Sequence, residues 1–179
     1  MKDFRVKGVE SIYSGRVVDL TVETIAFPDG KEMTRELVRH PGAVAMVPML
    51  SSTEIIMIKQ FRYSAGGEIW EIPAGTLEPN ESPADCAQRE LIEEIGYQAG
   101  KMEPLGGFYT SPGFCNEYLH LFRATDLQPA ESHLDKDEQI EVHTMSLQQA
   151  LQKIESGEIM DAKTIIGLLR INQKSFQHT

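Results

Sequence analysis

Gly75-Thr76-Leu77-Glu78-Pro79-Asn80-Glu81-Ser82-Pro83-Ala84-Asp85-Cys86-Ala87-Gln88-Arg89-Glu90-Leu91-Ile92-Glu93-Glu94-Ile95-Gly96-Tyr97 is the stretch whose reading decides the fold. Ser82 is a good N-cap, Pro83 suits the first helical position, Asp85 makes a capping-box-like Ser-x-x-Asp, and Gly96 stands where a left-handed residue ends a helix. The pattern predicts a helix over 83–95. At 100° per residue, Glu90, Glu93 and Glu94 share roughly a 100° arc, with Ala84, Leu91, Ile92 and Ile95 opposite. Like charges at i,i+4 cost an isolated helix about 0.2–0.5 kcal/mol per pair, and only Arg89 is close in sequence to offset them. A divalent cation removes the conflict, and hard oxygen donors without His or Cys suit Mg²⁺ or Mn²⁺ rather than Zn²⁺. A solvated acidic helix face is the competing reading of the charges alone.

The rest of the 179 residues bounds the answer. With 41% hydrophobic and 25% charged residues the chain is an ordinary globular one. The 17 Lys and Arg against 27 Asp and Glu give a net charge of −10, which argues against nucleic acid as a partner. The longest apolar run, Gly42 to Leu50, contains a proline and is about half the length a membrane span requires. No membrane association is expected, and an N-terminus without an apolar signal core makes a cytoplasmic protein the simplest expectation. Cys86 and Cys115 form no C-x-x-C pair, so both are expected as free thiols.

Before the central stretch, Val17 to Phe27 and Glu32 to Arg39 flank the turn residues Pro28-Asp29-Gly30 and predict a hairpin. Ala43 to Leu50 and Glu54 to Arg62 read as buried strands, followed by a short β segment from Glu68 to Ile72. After it, Met102 to Tyr109 and Tyr118 to Ala124 read as strands around the loop Thr110-Ser111-Pro112-Gly113. Asp126 to Gln139 reads as a long acidic loop. Ile140 to Met145 is a further strand. Ser146 with Gln149 caps a helix to about Ser156, and Asp161 caps a final one from Ala162 to about Asn172. Many strands, one central helix and a helical C-terminus predict an α+β fold.

The spacing inside the central stretch narrows the chemistry. Gly75, five residues, Glu81, seven residues, then Arg89-Glu90-Leu91-Ile92-Glu93-Glu94-Ile95-Gly96-Tyr97 resembles the Nudix signature G-x5-E-x7-R-E-U-x-E-E-x-G-U. Only Tyr97 departs, where an aliphatic residue is usual. The resemblance implies the Nudix fold, a mixed β-sheet packed between helices as an α/β/α sandwich, and hydrolysis of a nucleoside diphosphate linked to another moiety. It implies Glu90 and Glu94 as the main metal ligands, Glu93 as an additional or water-mediated one, and Glu81 and Arg89 as residues that orient loop and helix.

Arg35-Glu36, Arg39-His40-Pro41-Gly42-Ala43, Lys59-Gln60-Phe61-Arg62, Glu71-Ile72-Pro73-Ala74-Gly75 and Pro112, 16 residues after Gly96, resemble the ADP-ribose pyrophosphatase branch of that family. This resemblance implies Mg²⁺-dependent hydrolysis of ADP-ribose or a related ADP-sugar to AMP and a sugar phosphate. Another nucleotide sugar or a dinucleotide is the alternative substrate, and a non-catalytic ligand sensor the alternative class. It also implies a backbone carbonyl from Ala74 on a metal, and Arg62, Arg35, Pro112 and Gly113 on the substrate. The branch takes its general base from a glutamate two residues before a strand's first aliphatic residue, here Glu138 before Ile140, with Glu93 as the competing base. Residues 1–42 are then expected as an N-terminal β-strand region that joins a homodimer, and 43–179 as the Nudix hydrolase domain. Neither a P-loop, H-E-x-x-H nor G-x-S-x-G occurs, and the histidines show no metal spacing. Tyr13, Phe27 and Phe114 could each stack a base; Trp70, on an apolar strand, reads as core or interface.

Overall fold

The structure, a computed structural model, describes residues 3–131 and 139–176. It divides into two compact units, one of residues up to Gly42 with 108–119, the other of 43–107 with the residues from His120 onward.

The first unit is built on an antiparallel sheet of β1 (Arg5–Ser14), β2 (Asp19–Ala26) and β3 (Glu32–Arg39), in that order. The expected hairpin is β2 and β3, in register from Asp19↔Arg39 to Ala26↔Glu32. Its turn is closed by Phe27 N–H to the Lys31 carbonyl at 2.9 Å, with Gly30 at φ 82°. The sheet has a strand more than the hairpin. β1 pairs with β2 through two irregularities, at Val6/Gly8 and Ser11/Tyr13, and every one of its residues is exposed. These bulges break the strict alternation by which a strand is recognised in sequence. Buried Glu23 is held by Arg39 and by the Thr21 hydroxyl at 3.0 Å, and the Arg39 hydrogen bonds lower its pKa against the opposing effect of burial.

The second unit holds β4 (Ala43–Pro48), β5 (Glu54–Arg62), a 3₁₀ turn at Tyr63–Ala65, β6 (Gly67–Glu71), β7 (Ala74–Thr76), α1 (Pro83–Ile95), most of β8 (Tyr97–Tyr109) and β9 (Tyr118–Pro129), then β10 (Ile140–Ser146), α2 (Leu147–Glu155) and α3 (Ala162–Phe176). One sheet runs β7-β4-β9-β8 and the other β10-β5-β6, the latter antiparallel throughout. β4 is buried along its whole length. Val44 and Met46 point with Ile56, Ile58, Phe122 and Ala124 into the core that α1 closes with Cys86, Ala87, Leu91 and Ile95. Val47, of opposite parity, meets α3 instead: a Cβ on Gly167 would lie 3.0 Å from Val47 Cγ2 and 2.9 Å from Ile72 Cδ1. Sheet residues of alternate parity thus pack on two different helices, the layered α+β arrangement expected.

Helix α1 has the expected bounds: the Ser82 side chain accepts from the Asp85 N–H, Gly96 is left-handed, and its N–H reaches the Ile92 carbonyl at 3.0 Å. Tyr97 packs partly buried against the α1 core, so the departure from an aliphatic residue falls on packing. β9 runs to Pro129, so the chain from Asp126 to Pro129 is strand rather than loop, with Asp126 at φ 55°. α3 continues past Asn172 to Phe176. Among the described residues no helix is long and apolar enough to cross a membrane.

Candidate active site

The segment that precedes α1 is placed by β4. Met46 N–H donates to the Pro73 carbonyl at 2.9 Å, and Ala45↔Ala74 and Val44↔Gly75 are register partners. This sets β7 beside the acidic face of α1. Glu94 is 3% exposed, and its Oε2 accepts from the Ala74 N–H at 3.0 Å. Glu90 lies across Gly75 so closely that a Cβ there would stand 1.8 Å from Glu90 Cδ and 1.9 Å from Oε1. The glycine is the cradle of that carboxylate.

Arg89 ties the acidic face together. It grips Glu81 with two parallel bonds, Nε to Oε1 at 2.9 Å and Nη2 to Oε2 at 3.0 Å, while Nη1 reaches Glu90 at 2.7 Å and Glu93 at 2.9 Å. The Arg89 hydrogen bonds pull the Glu81 carboxyl down to about 2, against burial. The Glu81 hydrogen bond in turn raises the guanidinium pKa further. Glu81 also accepts from the Glu78 N–H at 3.0 Å, so the pair fastens the loop to the helix. Cys86, buried in the first turn of α1 with its Sγ 3.4 Å from Arg89 Nη2, is pushed up to about 12 by burial and then by Glu81, so its thiol stays neutral.

Among the described residues no three His, Cys, Asp or Glu side chains stand together as a cation cage. Glu90 and Glu93 instead share the Arg89 guanidinium. The donors nonetheless suit a hard divalent cation: three glutamates within two helical turns, one of them seated where a Cβ would otherwise be, beside the backbone of Ala74 and Gly75.

Arg62, at the end of β5, hydrogen-bonds Glu71 through Nε at 3.1 and 3.3 Å and through Nη2 at 2.7 Å. Burial works against its charge, but Glu71, then Glu94 and Asp161, outweigh it and raise its pKa. Arg62, Ala74, Glu90, Glu93 and Glu94 therefore all belong to the second unit, while Arg35, Pro112 and Gly113 belong to the first. Arg35 is exposed on β3, its Nη1 donating to the Thr34 carbonyl at 2.9 Å. Pro112 and Gly113 are exposed in a turn closed by Cys115 N–H to the Ser111 carbonyl at 2.9 Å. That turn is held to β3 by Val38 N–H to the Phe114 carbonyl at 2.8 Å, and by the Asn116 side chain, which accepts from the His40 N–H at 2.8 Å. Glu138 lies outside the described residues. The Trp70 ring is taken up by His143, edge-on at 4.8 Å, and by Lys153 over it at 5.4 Å.

Two charged residues near Arg62 escape a reading of the sequence. Glu71 is a carboxylate inside the apolar run Ile69 to Ile72, and Lys163 is a cation in the first turn of a helix, where the dipole disfavours it. Each is a local anomaly that signals a partner elsewhere in the chain.

Residues 39–165 match the NUDIX domain. The chain belongs to the Nudix family. The match takes in Arg62, Ala74 and the whole of α1. Over 178 residues the chain is 46% identical to "ADP-ribose pyrophosphatase" of Bacillus subtilis, covering 97% of this chain and 96% of that protein. It is 43% identical over 172 residues to "Methanol dehydrogenase activator" of Bacillus methanolicus, covering 94% and 93%. A solved "ADP compounds hydrolase" superposes with a TM-score of 0.85 over 99% of this chain and 97% of that one, at 20% identity, and shows the Nudix fold.

Proposed function

We propose that this Nudix protein is an enzyme that hydrolyses the pyrophosphate bond of ADP-ribose, or of a closely related ADP-sugar, to AMP and a sugar phosphate. The 46% identity to the Bacillus subtilis ADP-ribose pyrophosphatase, end to end, carries this reading. The intact acidic face of α1 against Ala74 and Gly75 supports it and speaks against a sensor that has lost its catalytic carboxylates.

In this reading Glu90, Glu94 and the Ala74 carbonyl hold Mg²⁺ or Mn²⁺, with Glu93 as a further ligand. Bound at these oxygens, the cation offsets the charge that develops on the diphosphate. Arg62 and Arg35 take phosphate and substrate oxygens, and the Pro112-Gly113 turn contacts the substrate. Glu138 removes the proton of the attacking water, as its position two residues before Ile140 suggests, and Glu93 is the other candidate. Arg89 and Glu81 keep the helix and its preceding loop in place.

The protein acts as a homodimer in this reading, residues 1–42 supplying the joint. The exposed Phe4, Val6, Val9, Ile12 and Tyr13 on and beside β1, an edge strand among the described residues, support it. Incubation with a panel of nucleotide sugars and dinucleotides and Mg²⁺, products identified by mass, tests the substrate. ADP-ribose is expected to be cleaved fastest. A chain that cleaves none of them with either Mg²⁺ or Mn²⁺ is no such hydrolase.

A further inference from the structure

Glu71 ends β6 with 3% of its side chain exposed, and it holds two cations rather than one. Arg62 grips it from the neighbouring strand through Nε and Nη2, and Lys163 Nζ reaches Oε1 at 3.1 Å. Lys163 also pairs with Asp161 at 3.1 Å. Asp161 accepts from the Thr164 N–H at 3.0 Å and from its hydroxyl at 2.6 Å, and the Thr164 oxygen accepts from the Ile72 N–H at 2.9 Å. Two cations and two anions balance, and the whole is pinned to the backbone two residues before Ala74.

A buried carboxylate is costly to leave unpaired, and a single Arg62–Glu71 bridge would do that whenever Arg62 moved. Lys163 removes the difficulty. Arg62 itself is docked by one edge of its fork: among the described residues no hydrogen bond is made by Nη1, and 39% of the side chain is exposed. A guanidinium fixed by one edge has lost most of its rotamer freedom and can offer the other to a phosphate.

The geometry points to Glu71 as a positioning residue for the substrate: it holds Arg62 so that Nη1 meets an oxygen of the diphosphate, and Lys163, fastened by Asp161, keeps the Glu71 carboxylate in place. This rests on the diphosphate substrate proposed above.

A double-mutant cycle on the full chain tests it, with KM and kcat for ADP-ribose measured at saturating Mg²⁺ and thermal midpoints recorded. Glu71→Gln is expected to raise KM about tenfold or more, as when a charge-assisted hydrogen bond is lost, and Arg62→Ala at least as much. In the double variant the Glu71 change should add less than about twofold. Arg62→Lys, which keeps the charge but not the fork, should be as impaired as Arg62→Ala. Multiplicative losses in the double variant, rescue by Arg62→Lys, or a KM of Glu71→Gln within about twofold of wild type overturn the proposal. Should Glu71→Gln fail to fold, Glu71→Asp, which keeps the charge and draws the fork back by one methylene, is held to the same criteria. A wild-type chain that leaves ADP-ribose intact defeats the substrate reading instead. The cycle is then read as affinity for inorganic pyrophosphate by calorimetry, where non-additivity supports the positioning role and additivity overturns it.

Discussion

Gly75 and Glu90 occupy each other's space: a Cβ on Gly75 would stand 1.8 Å from Cδ of Glu90. Gly75→Ala therefore displaces the carboxylate. What must give is the far end of a flexible side chain, so the cost in stability should stay within about 1 kcal/mol. Turnover should fall by about two orders of magnitude, the scale of a disturbed metal ligand. Parallel denaturant titration and steady-state kinetics check both, and wild-type turnover in Gly75→Ala would remove Glu90 from the site.

Glu94 accepts from the Ala74 N–H, so Glu94→Gln keeps an acceptor for that bond while losing the charge. The variant should fold with a thermal midpoint near wild type and lose about 10²-fold or more in kcat. Near wild-type turnover at saturating Mg²⁺ would refute its assignment as a ligand.

The Arg89 fork holds the Glu81 carboxyl at about 2, below its ordinary value of 4.5. A carboxyl whose folded pKa is depressed adds stability that is fully present above about 4.5 and is lost as the pH falls through about 2. Glu81→Gln should accordingly be less stable than wild type at pH 7, by about 1–3 kcal/mol for a lost charged hydrogen bond. The gap should close on acidification through that window. Urea unfolding of both proteins at neutral and acid pH measures it; a gap constant with pH would mean that the pair contributes only packing.

Light scattering at micromolar concentration should give twice the 20.1 kDa chain mass. Val9→Asp, on the exposed edge strand β1, should shift the protein toward monomer. A monomeric wild type would end the homodimer proposal.

If Glu138 is the base, Glu138→Gln should keep Mg²⁺ and substrate binding while kcat falls by roughly 10²–10⁴, the usual worth of general base catalysis. Asp137→Asn, one residue away, is the control. A fall in Glu93→Gln with Glu138→Gln unaffected would move the base to α1.

How much of this was legible in the sequence depended on the range of each interaction. Helix α1 was readable to its ends because Ser82, Pro83, Asp85 and Gly96 act on their own neighbours, and the acidic face followed from periodicity. The cradle of Glu90 on Gly75 was implicit in the Nudix spacing, though its steric reason lies in the packing of β7 against α1. β1 was hidden because two bulges disturb its pattern and neither face is buried. The Arg62–Glu71–Lys163 cluster was illegible: it joins two neighbouring strands to the start of α3, and one of its links, Thr164 to Ile72, spans 92 positions. Only the oddity of Glu71 among apolar residues and of Lys163 in a first helical turn hinted at it.

The most direct test of the central claim is the product analysis of ADP-ribose incubated with Mg²⁺ and either the wild-type chain or Glu94→Gln. AMP and ribose 5-phosphate in equal amounts from the wild type, with almost none from the variant, is the predicted result. ADP-ribose left intact by the wild type, or cleaved equally well by both, would contradict the account.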